Sequence, residues 1–307
     1  MPLLKQVTLL ENEPLHRRSY GKGILRRFEK TPPTIVCPHF WLLNWGYGCP
    51  FNCAYCYLQG TLRGNKKPWH RKLSQVFTAL DNAFADGENG ILEPTIFNSG
   101  ELTDSLAFPK VMEKIVDKFE EQENHKILLL TKGDNVEFLI NKPRKHTIYS
   151  FSLNAIEVAR RWEQGAAPPK NRIDAAKKVS DVGYEVRVRI DPIFPIKDWR
   201  EHYEDILYLL FSNLNNDPNR ITLGTPRGLQ KTLRFSKDLS WTEYFSEDSS
   251  WGKKISFELR KEIYNFMSDK LKCLGFHKSK IAICKETIGM WKELGWNKDE
   301  CKCNCIW

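Results

Sequence analysis

Three cysteines, Cys49, Cys53 and Cys56, lie within the stretch "NWGYGCPFNCAYCYLQ", residues 44–59. Thiolates held this close bind metal, and three of them make an incomplete coordination shell. A structural zinc site closes on four ligands, and a [4Fe–4S] cluster takes four cysteines, one for each iron. With three, one iron stays open to a ligand from outside the chain. The other reading of the loop is a zinc site completed by His39 or His70. A second set ends the chain: Cys301, Cys303 and Cys305 alternate in "ECKCNCIW", and Cys284 closes a predicted strand upstream. These four predict either a second iron–sulfur cluster or a zinc ion that staples the tail. Cys37 and Cys273 have no partner by spacing and read as packing residues.

The elements that must position these thiols follow from hydrophobic patterning. Apolar runs stand at "FWLLNW" (40–45), "PTIFN" (94–98), "KILLLT" (126–131), "TIYSFSLN" (147–154), "YEVRVRID" (184–191) and "RITLG" (220–224). Helical spacing separates them, as in the stripe Phe108, Val111, Met112, Ile115 and Phe119. Six strands alternating with helices predict an α/β fold with a parallel sheet, curled or open. Such sheets carry their sites at the C-terminal ends of the strands. The cysteine loop follows the first strand and sits at that end. After residue 225 the alternation stops. "GTPRGLQKTLRFSKDLSW" reads as a basic loop, followed by a helix over 256–274 and a short strand over 280–284. The expected organisation is a basic extension at 1–37, a core at 38–225 and a smaller C-terminal α+β domain at 226–307.

Composition sets the class. Of 307 residues, 41% are hydrophobic and 12% aromatic, which is the balance of a folded chain. Nine cysteines, an odd number, argue against a closed disulfide framework. No apolar run approaches the ~20 residues of a membrane span, and "MPLLKQVTLLENEPLHRRSYGKG" lacks a signal peptide's apolar core. A cytoplasmic protein is expected. The net charge of +9 resides in residues 1–37 and 226–307, whereas the middle is balanced. Basic flanks suit a polyanionic partner such as nucleic acid, or serve solubility alone. Arg227, Lys231, Arg234 and Lys237 are the candidate phosphate contacts, and Trp241 and Trp251 the candidate rings for base stacking.

The C-x3-C-x2-C loop behind the first strand of a six-unit βα chain resembles the radical S-adenosylmethionine (SAM) superfamily. "CAYCYLQGTL", "TKGDNVEFL", "FSLNA" and "RIDAAKKVSDVGYEVRVRIDPI" narrow the likeness to the spore photoproduct lyase family over residues 38–225. The resemblance implies a partial (β/α)6 barrel and a [4Fe–4S] cluster whose open iron chelates SAM. It implies reductive cleavage of SAM to a 5'-deoxyadenosyl radical and abstraction of hydrogen from a substrate. That substrate is a nucleic acid or nucleotide under repair or modification, with flavodoxin or ferredoxin as reductant. By the same likeness Tyr55 and Tyr57 match the family's radical-relay tyrosines. Lys132 matches a lysine near the SAM carboxylate, and Ser152 and Asn154 match polar residues near its ribose. Ser99, Gly100 and Glu101 resemble the motif that holds the methionine ammonium. One position departs from the pattern: Glu101 stands where the family carries the cysteine that returns hydrogen to the product. A carboxylic acid is a poor hydrogen-atom donor, so a relative of the lyase is expected, not a dimer-repair enzyme using that route. The rival readings are a radical SAM maturase acting on a peptide or small molecule, and a non-catalytic zinc-stabilised nucleic-acid-binding protein.

Overall fold

The computed structural model describes residues 19–300 and 302–307; residues 1–18 of the basic extension and Cys301 of the tail lie outside the described residues. Nine strands pair in chain order within one sheet. They are β1 (Ser19–Tyr20), β2 (Leu25–Phe28), β3 (Phe40–Leu43), β4 (Ile96–Asn98), β5 (Lys126–Thr131), β6 (Thr147–Leu153), β7 (Glu185–Ile190), β8 (Arg220–Leu223) and β9 (Ile281–Ile283). β1–β2 and β2–β3 pair antiparallel. From β3 to β9 every neighbouring pair is parallel. Parallel neighbours need crossover connections. Helices α1 (Leu73–Glu88), α2 (Pro109–Phe119), α3 (Pro169–Val182), α4 (Trp199–Asn213) and α5 (Phe257–Cys273) lie in five of them. The β5–β6 crossover has only a 3-10 turn, Glu137–Leu139. Of the stripe expected on α2, Met112, Ile115 and Phe119 are buried and Phe108 and Val111 half-buried; Val116 joins the buried face. Ser256 caps α5, its hydroxyl accepting the Leu259 N–H at 3.3 Å.

Alternation along the strands separates two faces. Phe97, Ile127, Leu129, Phe151, Val188 and Ile221 are fully buried in the apolar cores. The residues between them include Asn98, Ser150, Ser152, Arg187, Arg189 and Thr222. Register aligns this second set across the sheet, Ser150 with Arg187, Ser152 with Arg189, and Arg189 with Thr222. A parallel sheet filled on both faces reads as continuous apolar runs. Here the inner face mixes an apolar cluster, Ile96, Leu128 and Ile148, with these polar side chains, of which Ser152 and Arg189 line a cavity.

Two regions differ from the sequence reading. The C-terminal region, expected as a smaller α+β unit, adds β9 to the same sheet in parallel with β8. Tyr264, Met267 and Ile283 share one core cluster with Leu153, Val188 and Ile221. The tail then runs along the inner face. The Asn304 side-chain amide donates to Ser150 Oγ at 3.0 Å and to the Val188 carbonyl at 2.9 Å. Arg187 and Arg220 donate to the Ile306 carbonyl at 2.7 and 2.8 Å. The second difference lies in the basic loop, which contains a short helix, Gln230–Phe235. It lies against the helix Leu58–Thr61 behind the cysteine loop. The approach is close enough that a Cβ on Gly60 would stand 2.6 Å from the Lys231 backbone.

Candidate active site

The cysteine loop leaves the C-terminal end of β3 and is tied down on several sides. Trp45, fully buried, donates its indole N–H to the Ser99 carbonyl at 2.9 Å. Gly48 adopts φ +74°, and a Cβ there would meet the Lys67 carbonyl oxygen at 2.4 Å, so only glycine fits. The Cys49 N–H donates to the Lys66 carbonyl at 3.1 Å. Asn52–Cys53 pairs antiparallel with Glu163–Gln164. The loop thus holds its thiols without any disulfide.

The three thiols lie within one another's electrostatic reach. Burial pushes Cys49 up to about 12, with Asp104 and Cys56 adding to it. Burial also raises Cys53, with Glu163 adding and Lys132 opposing. Cys56 is raised by burial and eased by the Leu58 N–H and the charges of Lys66 and Lys132. As plain thiols they are protonated near neutrality; a bound cationic centre is what would hold them as thiolates. Tetrahedral zinc, with Zn–S near 2.3 Å, needs sulfurs about 3.8 Å apart. Among the described residues no group of three His, Cys, Asp or Glu is placed to hold a metal ion. His70 is exposed, its ring edge-on to Phe108 at 5.0 Å. A polynuclear cluster spreads its ligands more widely than one ion. Three loop thiols, two of them on a cavity wall, would leave one iron of a [4Fe–4S] cluster open toward that cavity.

That cavity, about 380 Å³, is walled by Cys53, Tyr55, Cys56, Tyr57, Gly100, Glu101, Lys132 and Ser152 among the expected residues. The Tyr57 hydroxyl donates to the Glu101 carbonyl and to Glu101 Oε2, the latter at 2.9 Å. Asn98 donates to Glu101 Oε1 at 3.4 Å. Gly100 lies so close to β5 that a Cβ would meet Leu130 Cβ at 2.5 Å. Lys132 is fixed at its main chain by Asp104, its N–H donating to Oδ2 at 2.8 Å. Its ammonium stands 3.1 Å from Glu163 Oε1, and Arg172 stands 2.6 Å from Oε2. Tyr55 donates its hydroxyl to the same carboxylate. Burial works against the Glu163 carboxylate, yet Lys132, Arg172 and Tyr55 together hold it down to about 2. Glu163 is a centre the sequence reading missed. It follows a helix and shows no motif of its own, and only the sheet register brings it beside Cys53.

Other expected residues stand elsewhere. Ser99 is turned inward, its hydroxyl bonded to the Leu128 carbonyl and to Ser105 Oγ, both at 2.8 Å. Asn154 is buried behind the wall, donating to the Pro192 carbonyl at 2.9 Å and accepting from Tyr203 at 2.7 Å. Arg227, expected on a basic loop, lines the cavity, its Nη2 donating to both carboxylate oxygens of Asp191 at 2.7 and 2.9 Å. Lys231, Arg234 and Lys237 are exposed on the outer surface. Both expected rings line the cavity: Trp241 is fully buried with its indole N–H on the Asp238 carbonyl, and Trp251 is half-buried.

Of the tail cysteines, Cys284, Cys303 and Cys305 line one small recess, and Cys37 joins them there. Cys37 is therefore more than an isolated packing residue. The Arg189 guanidinium reaches both Cys305 Sγ, at 3.0 Å, and Cys284 Sγ, at 3.8 Å. The Arg189 guanidinium thus lies against two of the expected tail sulfurs, while Cys301, expected beside them, lies outside the described residues. Spacing carried no signal for the approach of Cys37, because β9 brings Cys284 to it across the sheet.

Comparison with known proteins agrees with this geometry. The family model for spore photoproduct lyase matches residues 38–224. A spore photoproduct lyase of Bacillus subtilis (strain 168) is 30% identical over 195 residues, covering 62% of this chain and 55% of that protein. One of Clostridium acetobutylicum is 26% identical over 164 residues, covering 52% and 48%. The chain thus spans about half the length of these curated relatives. A solved spore photoproduct lyase complexed with dinucleoside spore photoproduct superposes with a TM-score of 0.67 at 20% identity, over 83% of this chain and 78% of that one. A mutant of such a lyase, with AdoMet and the same dinucleoside bound, gives the same score and coverage. Streptococcus suis SuiB bound to its precursor peptide SuiA gives 0.52 at 16% identity, over 80% and 48%.

Proposed function

The chain belongs to the spore photoproduct lyase family, and on that premise we propose that it is a radical SAM enzyme acting on nucleic acid. One observation carries the reading: Cys53 and Cys56 open onto the same cavity as Glu101, Lys132 and Ser152. Cys49, Cys53 and Cys56 would hold a [4Fe–4S] cluster, and with SAM bound it would supply one-electron reduction and radical hydrogen-abstraction chemistry. The chain's own side chains do the rest. Glu101 offers its carboxylate to the methionine ammonium, and Tyr57 and Asn98 fix that carboxylate. Lys132 offers its ammonium to the methionine carboxylate, with Glu163 as the positioning residue that keeps it extended. Ser152 faces the ribose side. Tyr55 and Tyr57 line the same cavity and would serve as relay residues beside bound cofactor and substrate. Relatives hold a dinucleoside spore photoproduct, and the cations and rings that also line the cavity, Arg26, Lys285, Phe28 and Trp251, suit the same chemical class. Hydrogen return by a thiol at the end of β4 is not part of this proposal, because Glu101 stands there.

The proposal includes a small one-electron carrier, flavodoxin or ferredoxin, as reductant, and a cytoplasmic setting. Among the described residues no helix is long and apolar enough to cross a membrane. The test is a product screen with anaerobically reconstituted protein. 5'-Deoxyadenosine should form, and irradiated DNA should raise its yield above RNA, peptide or no addition. A yield raised by peptide alone supports the maturase reading instead.

A further inference from the structure

The open barrel has two edges, β2 with its partner β1 on one side and β9 on the other, and they approach each other beside the cavity. Ile35–Val36 pairs antiparallel with Glu286–Thr287 across this seam. Immediately before it, Lys285 adopts φ +49°, a conformation that side chains larger than glycine rarely take. The ammonium of Lys285 lies 4.8 Å from the centre of the Phe28 ring and 5.6 Å from that of Trp251. Arg26, two residues before Phe28 on β2, lines the same wall. Neither Arg26 nor Lys285 makes an ion pair among the described residues, although most buried or half-buried cations of the chain do. Arg189 stands behind them with its Nε buried and without a hydrogen-bond partner. The acids of the cavity are spoken for: Asp191 is bidentate on Arg227, and Glu101 takes the Tyr57 hydroxyl.

Two cations without counter-ions on one cavity wall, one of them over aromatic faces and held by a left-handed backbone, make a site for a phosphate joined to a flat ring. We propose that this seam is a phosphodiester subsite: Arg26 and Lys285 hold a backbone phosphate of the substrate strand, and an adjoining base stacks on Trp251. Lys132, the cation assigned to the cofactor, is already paired with Glu163, whereas Arg26 and Lys285 are not, so the subsite is assigned to the substrate. It deepens the nucleic-acid reading and rests on it.

The test measures binding of a short single-stranded thymidine oligonucleotide to the reconstituted full chain in the presence of SAM. A matching oligonucleotide carries one uncharged methylphosphonate linkage, moved along the strand. Arg26→Gln and Lys285→Gln should each weaken binding of the charged strand roughly ten- to a hundredfold. One position of the methylphosphonate should cause a similar loss, and combining it with Lys285→Gln should add little, because both remove the same interaction. The log–log salt slope should drop by about 0.7 for the one single-strand phosphate no longer neutralised. Lys285→Arg should restore binding, and SAM affinity should stay unchanged in all variants, which a general loss of structure would not allow. If oligonucleotide binding is tight but indifferent to Arg26, Lys285 and the uncharged linkage, the subsite is wrong while the nucleic-acid reading stands. If no oligonucleotide binds the unaltered chain, the substrate class itself falls.

Discussion

Cys53 is the residue on which the chemistry turns. It is buried and paired through its backbone to Glu163, and it opens on the cavity. Cys53→Ala should remove the loop's iron and abolish 5'-deoxyadenosine formation while leaving circular dichroism unchanged; a variant that keeps its iron contradicts the ligand assignment. Glu101 carries a second prediction. A charge-assisted hydrogen bond is worth roughly 1.5–3 kcal/mol, a ten- to hundredfold change in affinity. Glu101→Gln should weaken SAM binding by up to that factor without altering the products, as read by equilibrium binding and chromatography. Glu101→Cys restores the family's thiol at that position. It should lose SAM affinity and gain no thymine-dimer repair, and a gain in repair would mean that hydrogen return from β4 is the native route. At this scale the sequence was most legible where position along the chain is the signal, as in the placement of the loop holding Cys49, Cys53 and Cys56 after a parallel strand. It was least legible for Glu163 and Arg189, whose roles exist only once sheet register sets them beside Cys53 and Cys305.

Among the elements, the strands and crossovers could be read because apolar runs and helical stripes have distinct periods, as "KILLLT" and the stripe on α2 show. The fate of β9 and the tail could not. "KIAIC" looks the same whether it starts a second unit or extends the first sheet, and nothing local in "CNCIW" says that Asn304 will be buried against Ser150 and Thr222. The packing of α1 and α2 on β4 and β5 also gives a pH prediction. His125 is fully buried between Phe84 and Phe97. Burial pushes its imidazole down to about 4, with the charge of His146 adding to the effect. The unfolded chain takes up that proton near 6.5. Below 6.5 the unfolded state therefore binds the proton first, and stability is lost as the pH falls from about 6.5 to about 4. The loss from this group is up to roughly 3 kcal/mol. Chemical denaturation across that window should show the fall, and His125→Gln should remove this part of the slope. An equal slope in the variant assigns the acid sensitivity elsewhere.

For the whole molecule, the charge is arranged differently from the flanks-and-body picture. Arg227 is turned inward onto Asp191, while Lys231, Arg234 and Lys237 remain outside, close to the helix that follows the cluster loop. Lys231→Glu with Arg234→Glu should weaken duplex DNA binding and flatten its salt dependence by about 0.9 for each phosphate no longer neutralised. A slope unmoved by both reversals places the outer phosphate-binding groups on other residues. The central claim joins the cluster loop, the cavity and the nucleic-acid substrate into one reaction. It is tested most directly by incubating anaerobically reconstituted protein with SAM, a one-electron reductant and DNA carrying spore photoproduct, and measuring 5'-deoxyadenosine and the fate of the lesion. The account predicts 5'-deoxyadenosine formation that rises with the DNA and vanishes in Cys53→Ala. No 5'-deoxyadenosine from iron-loaded protein, or a yield indifferent to DNA and raised by peptide, would contradict it.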